Sequence, residues 1–173
     1  MTETIITLLL VVGAFGAGSR LLVLIDKGSS DRLEAGCFSV ALGFGALILI
    51  MLMLGLSSLL YPQVVAAVTI LWFVTGVPVF YRALLEFTSW LKTQPVLSSS
   101  VYFWVIVVAM SAMILNWVGA LAPPHGATDP LAYHLALPKI FLREHALSFA
   151  PTVNGTLYPN NMGLLYAVAI ALG

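Results

Sequence analysis

Apolar positions along the chain come in long blocks divided by short polar punctuation. Four blocks, Thr4–Ile25, Cys37–Tyr61, Val64–Leu85 and Val101–Ala122, each reach the roughly 20 mostly apolar residues that a helix needs to cross a bilayer. A fifth, Met162–Gly173, is apolar but only about half that length. The pattern predicts four full transmembrane helices and the start of a fifth. A helix ending at Gly173 would leave its last carbonyls unpaired in hydrocarbon, each costing several kcal/mol. The sequence therefore reads as an N-terminal portion of something longer, or as a subunit whose fifth helix a partner completes. The first block follows no basic residue and exceeds the 7–15 apolar residues of a typical signal-peptide core, so it is expected to be a retained helix. Within the blocks, the pairs Ala14/Gly18 and Ala41/Gly45 offer close helix approach. Pro78 predicts a kink, and Asn116 predicts an interhelical hydrogen bond or a substrate contact. The four tryptophans, Trp72, Trp90, Trp104 and Trp117, read as anchors and filler.

The stretch Pro123–Asn161 breaks this pattern. Pro123 and Pro124 stop the fourth block, and Asp129-Pro130 has the form of a cap followed by proline at the first helical position. From 130 to 145 the spacing becomes helical and two-sided. Leu131, His134, Leu135, Pro138, Phe141 and Leu142 share one side, with Ala132, Lys139, Arg143 and Glu144 elsewhere. Pro138 is expected to kink or divide this helix, and an amphipathic helix after a membrane exit is expected in the interface plane. Ala150–Asn161, punctuated by Pro151, Gly155 and Pro159, reads as an irregular return to the membrane. The chain thus falls into a three-helix membrane segment, 1–98, and a second part, 99–173, holding the fourth span, the long loop and the next helix.

Composition agrees with an all-α integral membrane protein. Charged residues are 8% of the chain and apolar residues 61%, against about 25% charged in soluble domains. A soluble chain of 173 residues has too small a core for that load. Net charge is zero, so nothing points to nucleic acid. Cys37, alone of its kind, excludes an internal disulfide and any multi-thiolate metal site. Patterns of the GxxxxGK[ST], GxGxxG, HExxH and GxSxG types are absent. Basic residues then set the sidedness, because loops rich in Lys and Arg stay in the cytoplasm. Arg20, Lys27, Arg32, Arg82 and Lys92 lie in or beside the first and third loops, with Arg20 placed to snorkel toward the first. The much longer fourth loop has Lys139 and Arg143. The N-terminus and the long loop are therefore expected outside. Asn154-Gly155-Thr156 is a formal glycosylation sequon there.

The run APPHGATDPLAYHLALPKIFL, Ala122–Leu142, followed by YPNNMGLLYAVAIAL, Tyr158–Leu172, resembles the first extracytoplasmic loop of GT-C type membrane glycosyltransferases. It is most similar to the bacterial branch like the protein mannosyltransferases. Thr128 stands where an aromatic usually precedes the aspartate, and Asn160-Asn161-Met162 replaces the later acidic position. The resemblance implies a bacterial inner-membrane enzyme. It would transfer a sugar from a polyprenyl-phosphate donor to a lipid, glycan or protein acceptor, with inversion. It further implies Asp129 as catalytic base, with Tyr133, His134, Lys139 and Arg143 toward substrate. A base beside the acceptor hydroxyl and a cation beside the departing phosphate suit that chemistry. Each residue also has a plainer reading: Asp129 as a helix cap, and Lys139 and Arg143 as headgroup contacts. His134 could bind substrate or a metal, although no second ligand stands in pattern with it, so no cofactor is expected. Besides the bilayer and the donor, further helices of the same enzyme or a partner subunit are expected as neighbours. The alternative function is a non-catalytic membrane subunit that uses the long loop as a docking surface.

Overall fold

The computed structural model describes residues 2–25, 32–93, 100–120, 134–149 and 161–173, and their elements are all helices, with no strand among them. The helices are α1 (Thr2–Ile25), α2 (Arg32–Leu56), α3 (Pro62–Thr93), α4 (Ser100–Ala120), α5 (Ala136–Glu144) and α6 (Asn161–Leu172). Three of them are long and apolar enough to cross a membrane, over Thr4–Ile25, Glu34–Leu56 and Pro62–Ser89. In α4 the apolar stretch is shorter, Phe103–Asn116. The chain divides into two compact units, Met1–Arg82 with Thr128–Gly173, and Ala83–Ala127.

In the first unit, glycine decides how closely the helices approach. A Cβ on Gly18 would meet the backbone of Ser39 and Gly43, and one on Gly43 would meet the backbone of Ala14. The α1–α2 contact therefore pairs Ala14/Gly18 with Ser39/Gly43. Ala41 and Gly45 take no part in it: both are exposed, and a Cβ on Gly45 meets nothing. Both pairs have the same four-residue spacing, but a two-residue offset turns them by about 200° around a helix of 3.6 residues per turn. A second face of α1 meets α3, where Gly13 accommodates the Trp72 ring and Gly16 lies against Gly76. Phe15 and Phe80 add an edge-to-face contact at 5.7 Å.

The turn between α2 and α3 is 57–61, whereas the apolar blocks Cys37–Tyr61 and Val64–Leu85 leave only Pro62 and Gln63 between them. At the end of α2, Leu59 N–H donates to the Leu54 carbonyl at 2.8 Å and Ser58 N–H to the Gly55 carbonyl at 3.3 Å. Ser58 holds φ at 56°. This double bond with a left-handed residue between is the Schellman way of ending a helix, with serine in the place that glycine commonly takes. Pro62 then opens α3, where its missing N–H costs nothing.

One apolar core joins the membrane helices to the long loop. Ile6 and Leu10 of α1, Leu47 and Met51 of α2, Leu60 of the turn and Val65 of α3 cluster with residues of α5 and α6. From α5 come Leu137, Phe141 and Leu142, and from α6 Leu164, Ala167 and Val168. α6 packs on α5, α2 and α1. In the second unit, α4 leaves Val105, Met113 and Leu115 exposed, and Phe103 meets Trp104 edge-on at 5.6 Å. Asn116 Nδ2 donates to the Ala112 carbonyl of its own helix at 3.1 Å.

Candidate functional site

The described part of the long loop, 134–149, is held by both of its ends. Helix α5 begins at Ala136 with Leu135 as its cap residue and no side-chain cap bond. The helix start expected at Asp129-Pro130 lies outside the described residues, as do Tyr133 and the irregular stretch expected over most of Ala150–Asn161. Pro138 sits in the first turn of α5, where a proline removes no intrahelical bond. Its ring is buried on the side of α5 that meets the core. The buried side of α5 is Leu137, Pro138, Phe141 and Leu142, a stripe at i, i+1, i+4 and i+5. Leu137 was not on the expected face. The stripe packs on protein, because α6 and the α2–α3 turn supply the other half of its core.

At its C-terminal end α5 stops on a left-handed histidine. His145 has φ 57° and ψ 16° and gives its N–H to the Phe141 carbonyl, which Ala146 N–H also reaches at 3.1 Å. This end is clasped to the end of α2. Leu60 N–H donates to the His145 carbonyl at 3.0 Å, and Leu147 N–H donates to the Gly55 carbonyl at 3.1 Å. The imidazole of His145 stacks on the Tyr61 ring with centroids 3.9 Å apart and planes 20° from parallel. The Leu147 side chain covers Gly55 so closely that a Cβ there would collide with it. Two backbone bonds, a ring stack and an apolar plug thus fix where α5 sits, and they place the α2–α3 turn and the described part of the long loop at the same end of this unit.

The expected site residues separate into two groups on this scaffold. His134 is half-buried and turned to α6, edge-on to Tyr166 with centroids 6.5 Å apart. Lys139 and Arg143 lie one turn apart on the opposite, exposed face. Arg143 comes within 3.6 Å of Glu144, but its side chain remains 75% exposed, so the pair is weak and the guanidinium stays available. No group of three or more His, Cys, Asp or Glu side chains among the described residues could hold a metal ion.

Two residues of this neighbourhood are not legible as partners in the sequence. Tyr61 and Tyr166 are 105 positions apart in number, yet each receives a histidine from the same short segment. The one local signal is a histidine at each edge of a short amphipathic run, and sequence spacing does not tell which ring each would meet. No family model matches the chain, and neither a curated protein nor a solved structure does.

Proposed function

We propose that this chain forms part of a membrane glycosyltransferase that transfers sugar from a polyprenyl-phosphate donor on the extracytoplasmic side. In this reading α4 is a fourth span, the N-terminus and the long loop are outside, and the membrane is a bacterial inner membrane. The observation that carries the reading is where the two stretches with the GT-C-like pattern lie. They are separate in sequence, yet α5 packs on α6 and His134 meets Tyr166. Within the Pro138–Leu142 portion of the pattern, Pro138, Phe141 and Leu142 are buried while Lys139 is exposed. Its apolar members serve docking, and its cation is left free for a phosphate or a headgroup.

Asp129, five residues ahead of His134, is the proposed base. It takes the proton of the acceptor hydroxyl as that oxygen bonds to the anomeric carbon. The bond to the donor phosphate breaks from the opposite face, which inverts the centre. Lys139 and Arg143 offer positive charge to the departing phosphate.

The test separates a base from a cap. Asparagine caps a helix about as well as aspartate but cannot accept a proton at working pH. Asp129→Asn in membranes should keep stability near wild type while transfer of labelled sugar falls by about 10²-fold or more. Asp129→Ala should lose transfer and also about 1 kcal/mol of stability. Wild-type transfer by the asparagine variant would remove the central residue of this reading.

A further inference from the structure

Arg20 does not snorkel to the end of its helix. Its guanidinium Nη2 donates to the main-chain carbonyl of Thr75 on α3 at 2.9 Å, and the level of that carbonyl fixes the depth of the charge. Thr75 lies thirteen residues past Pro62 and fourteen before Ser89 in the apolar stretch Pro62–Ser89. At about 1.5 Å per residue the carbonyl stands about 20 Å from either end. On α1 the same level falls near Gly16, which abuts Gly76, again close to the middle of Thr4–Ile25. The side chain therefore reaches back by about a turn, in the direction every helical Cβ is tilted, and carries its charge to mid-span.

Two features of α3 prepare that contact. Gly16 and Gly76 bring the two backbones together, and a Cβ on either would strike the other helix. Pro78 inside α3 has no N–H for the Val74 carbonyl and crowds the preceding turn, the turn to which Thr75 belongs. One carbonyl occupies one of the five guanidinium N–H donors, and the Arg20 side chain is otherwise exposed. Facing hydrocarbon there is costly, and mid-membrane cations pair with other groups or face a bundle interior. A lipid phosphate would have to sink through half of the roughly 30 Å core to meet it. A carboxylate carried on a neighbouring helix would not. No carboxylate of the described residues lies at that level. Among the described residues, Glu3, Glu34 and Glu86 lie near helix ends and Glu144 ends α5.

We propose that the Arg20 side of the α1–α3 pair is an interface for a transmembrane helix of another polypeptide, one that presents a carboxylate near mid-span. This rests on the membrane assignment of α1 and α3 and is independent of the sugar-transfer reading.

The experiment places the labelled chain in phosphatidylcholine vesicles with synthetic Leu/Ala helices of about 21 residues. Their central residue is Glu, Gln or Lys, and association is read by energy transfer. The Glu helix should associate about tenfold more tightly than the Gln helix, the scale of one strong interhelical polar contact. Arg20→Gln should abolish the difference, Arg20→Lys should keep most of it, and Arg20→Glu should move the preference to the Lys helix. Circular dichroism of each variant checks that the helices persist, and if Arg20→Gln loses them the Lys and Glu variants still decide the matter. Equal association of the Glu and Gln helices with the wild-type chain would overturn the proposal. So would a preference that survives Arg20→Gln. Arg20-dependent binding of phosphatidylglycerol without any peptide preference would overturn it in favour of a lipid phosphate.

Discussion

Replacing Gly18 by alanine tests the helix contact that organises the first unit. A Cβ at that position would stand 2.7 Å from both the Gly43 nitrogen and the Ser39 carbonyl carbon, and nearer still to the Ser39 oxygen. Ordinary contact begins at about 3.4 Å, so α1 and α2 must part by about 0.7 Å or more. The opposing atoms are backbone and cannot rotate aside, and the same movement loosens Gly43 from Ala14. Overpacking of this kind costs about 1–3 kcal/mol. Gly45→Ala is the matched control. It lies on the same helix as Gly43, but its added methyl meets nothing within 4 Å and should change stability by no more than about 0.5 kcal/mol. Reversible unfolding in bicelles, followed by tryptophan fluorescence with increasing dodecyl sulfate, gives both values. Equal effects of the two substitutions, or a Gly18→Ala cost below about 0.5 kcal/mol, would refute the assigned α1–α2 face.

The docking of α5 makes further outcomes measurable. Leu137, 1% exposed, should cost about 2–5 kcal/mol on truncation to alanine, seen as faster proteolysis of the long loop and not as loss of the membrane helices. Lys139→Gln and Arg143→Gln should each leave stability within about 0.5 kcal/mol, because both side chains are exposed and the Arg143–Glu144 pair is solvated; a larger loss by thermal unfolding would show that α5 is clamped through its charged face. For sidedness, Phe149→Cys in a Cys37→Ala background suits labelling, since Phe149 is 65% exposed whereas the neighbouring Ser148 hydroxyl is buried. An impermeant thiol reagent should modify it in intact cells, and modification only after permeabilisation would reverse the proposed orientation.

Block length and composition alone determine that this is an all-helical chain built for a membrane. A run of 20 apolar residues has few places to go but lipid, and that inference needs no partner. α1 is accordingly legible almost to the residue, and the two-sided run ending at Glu144 is legible as an amphipathic helix. Which equivalent face is used was decided only by the tertiary structure. Ala41/Gly45 and Ser39/Gly43 are the same pattern read two positions apart, and the position of α1 chooses between them. The end of α2 was misplaced because a left-handed serine stops that helix without glycine. Besides its own Schellman bonds, that end is tied by the bonds from Leu60 to His145 and from Leu147 to Gly55, whose partners are far along the chain. His145 looks solvent-facing in isolation, and becomes the clasp of α5 once Tyr61 is set against it. Arg20 is the sharpest case. Its sequence position, five residues from a helix end, allows it to reach outward or inward. Only the close approach of Gly16 to Gly76 brings a carbonyl near enough to draw the charge to mid-span.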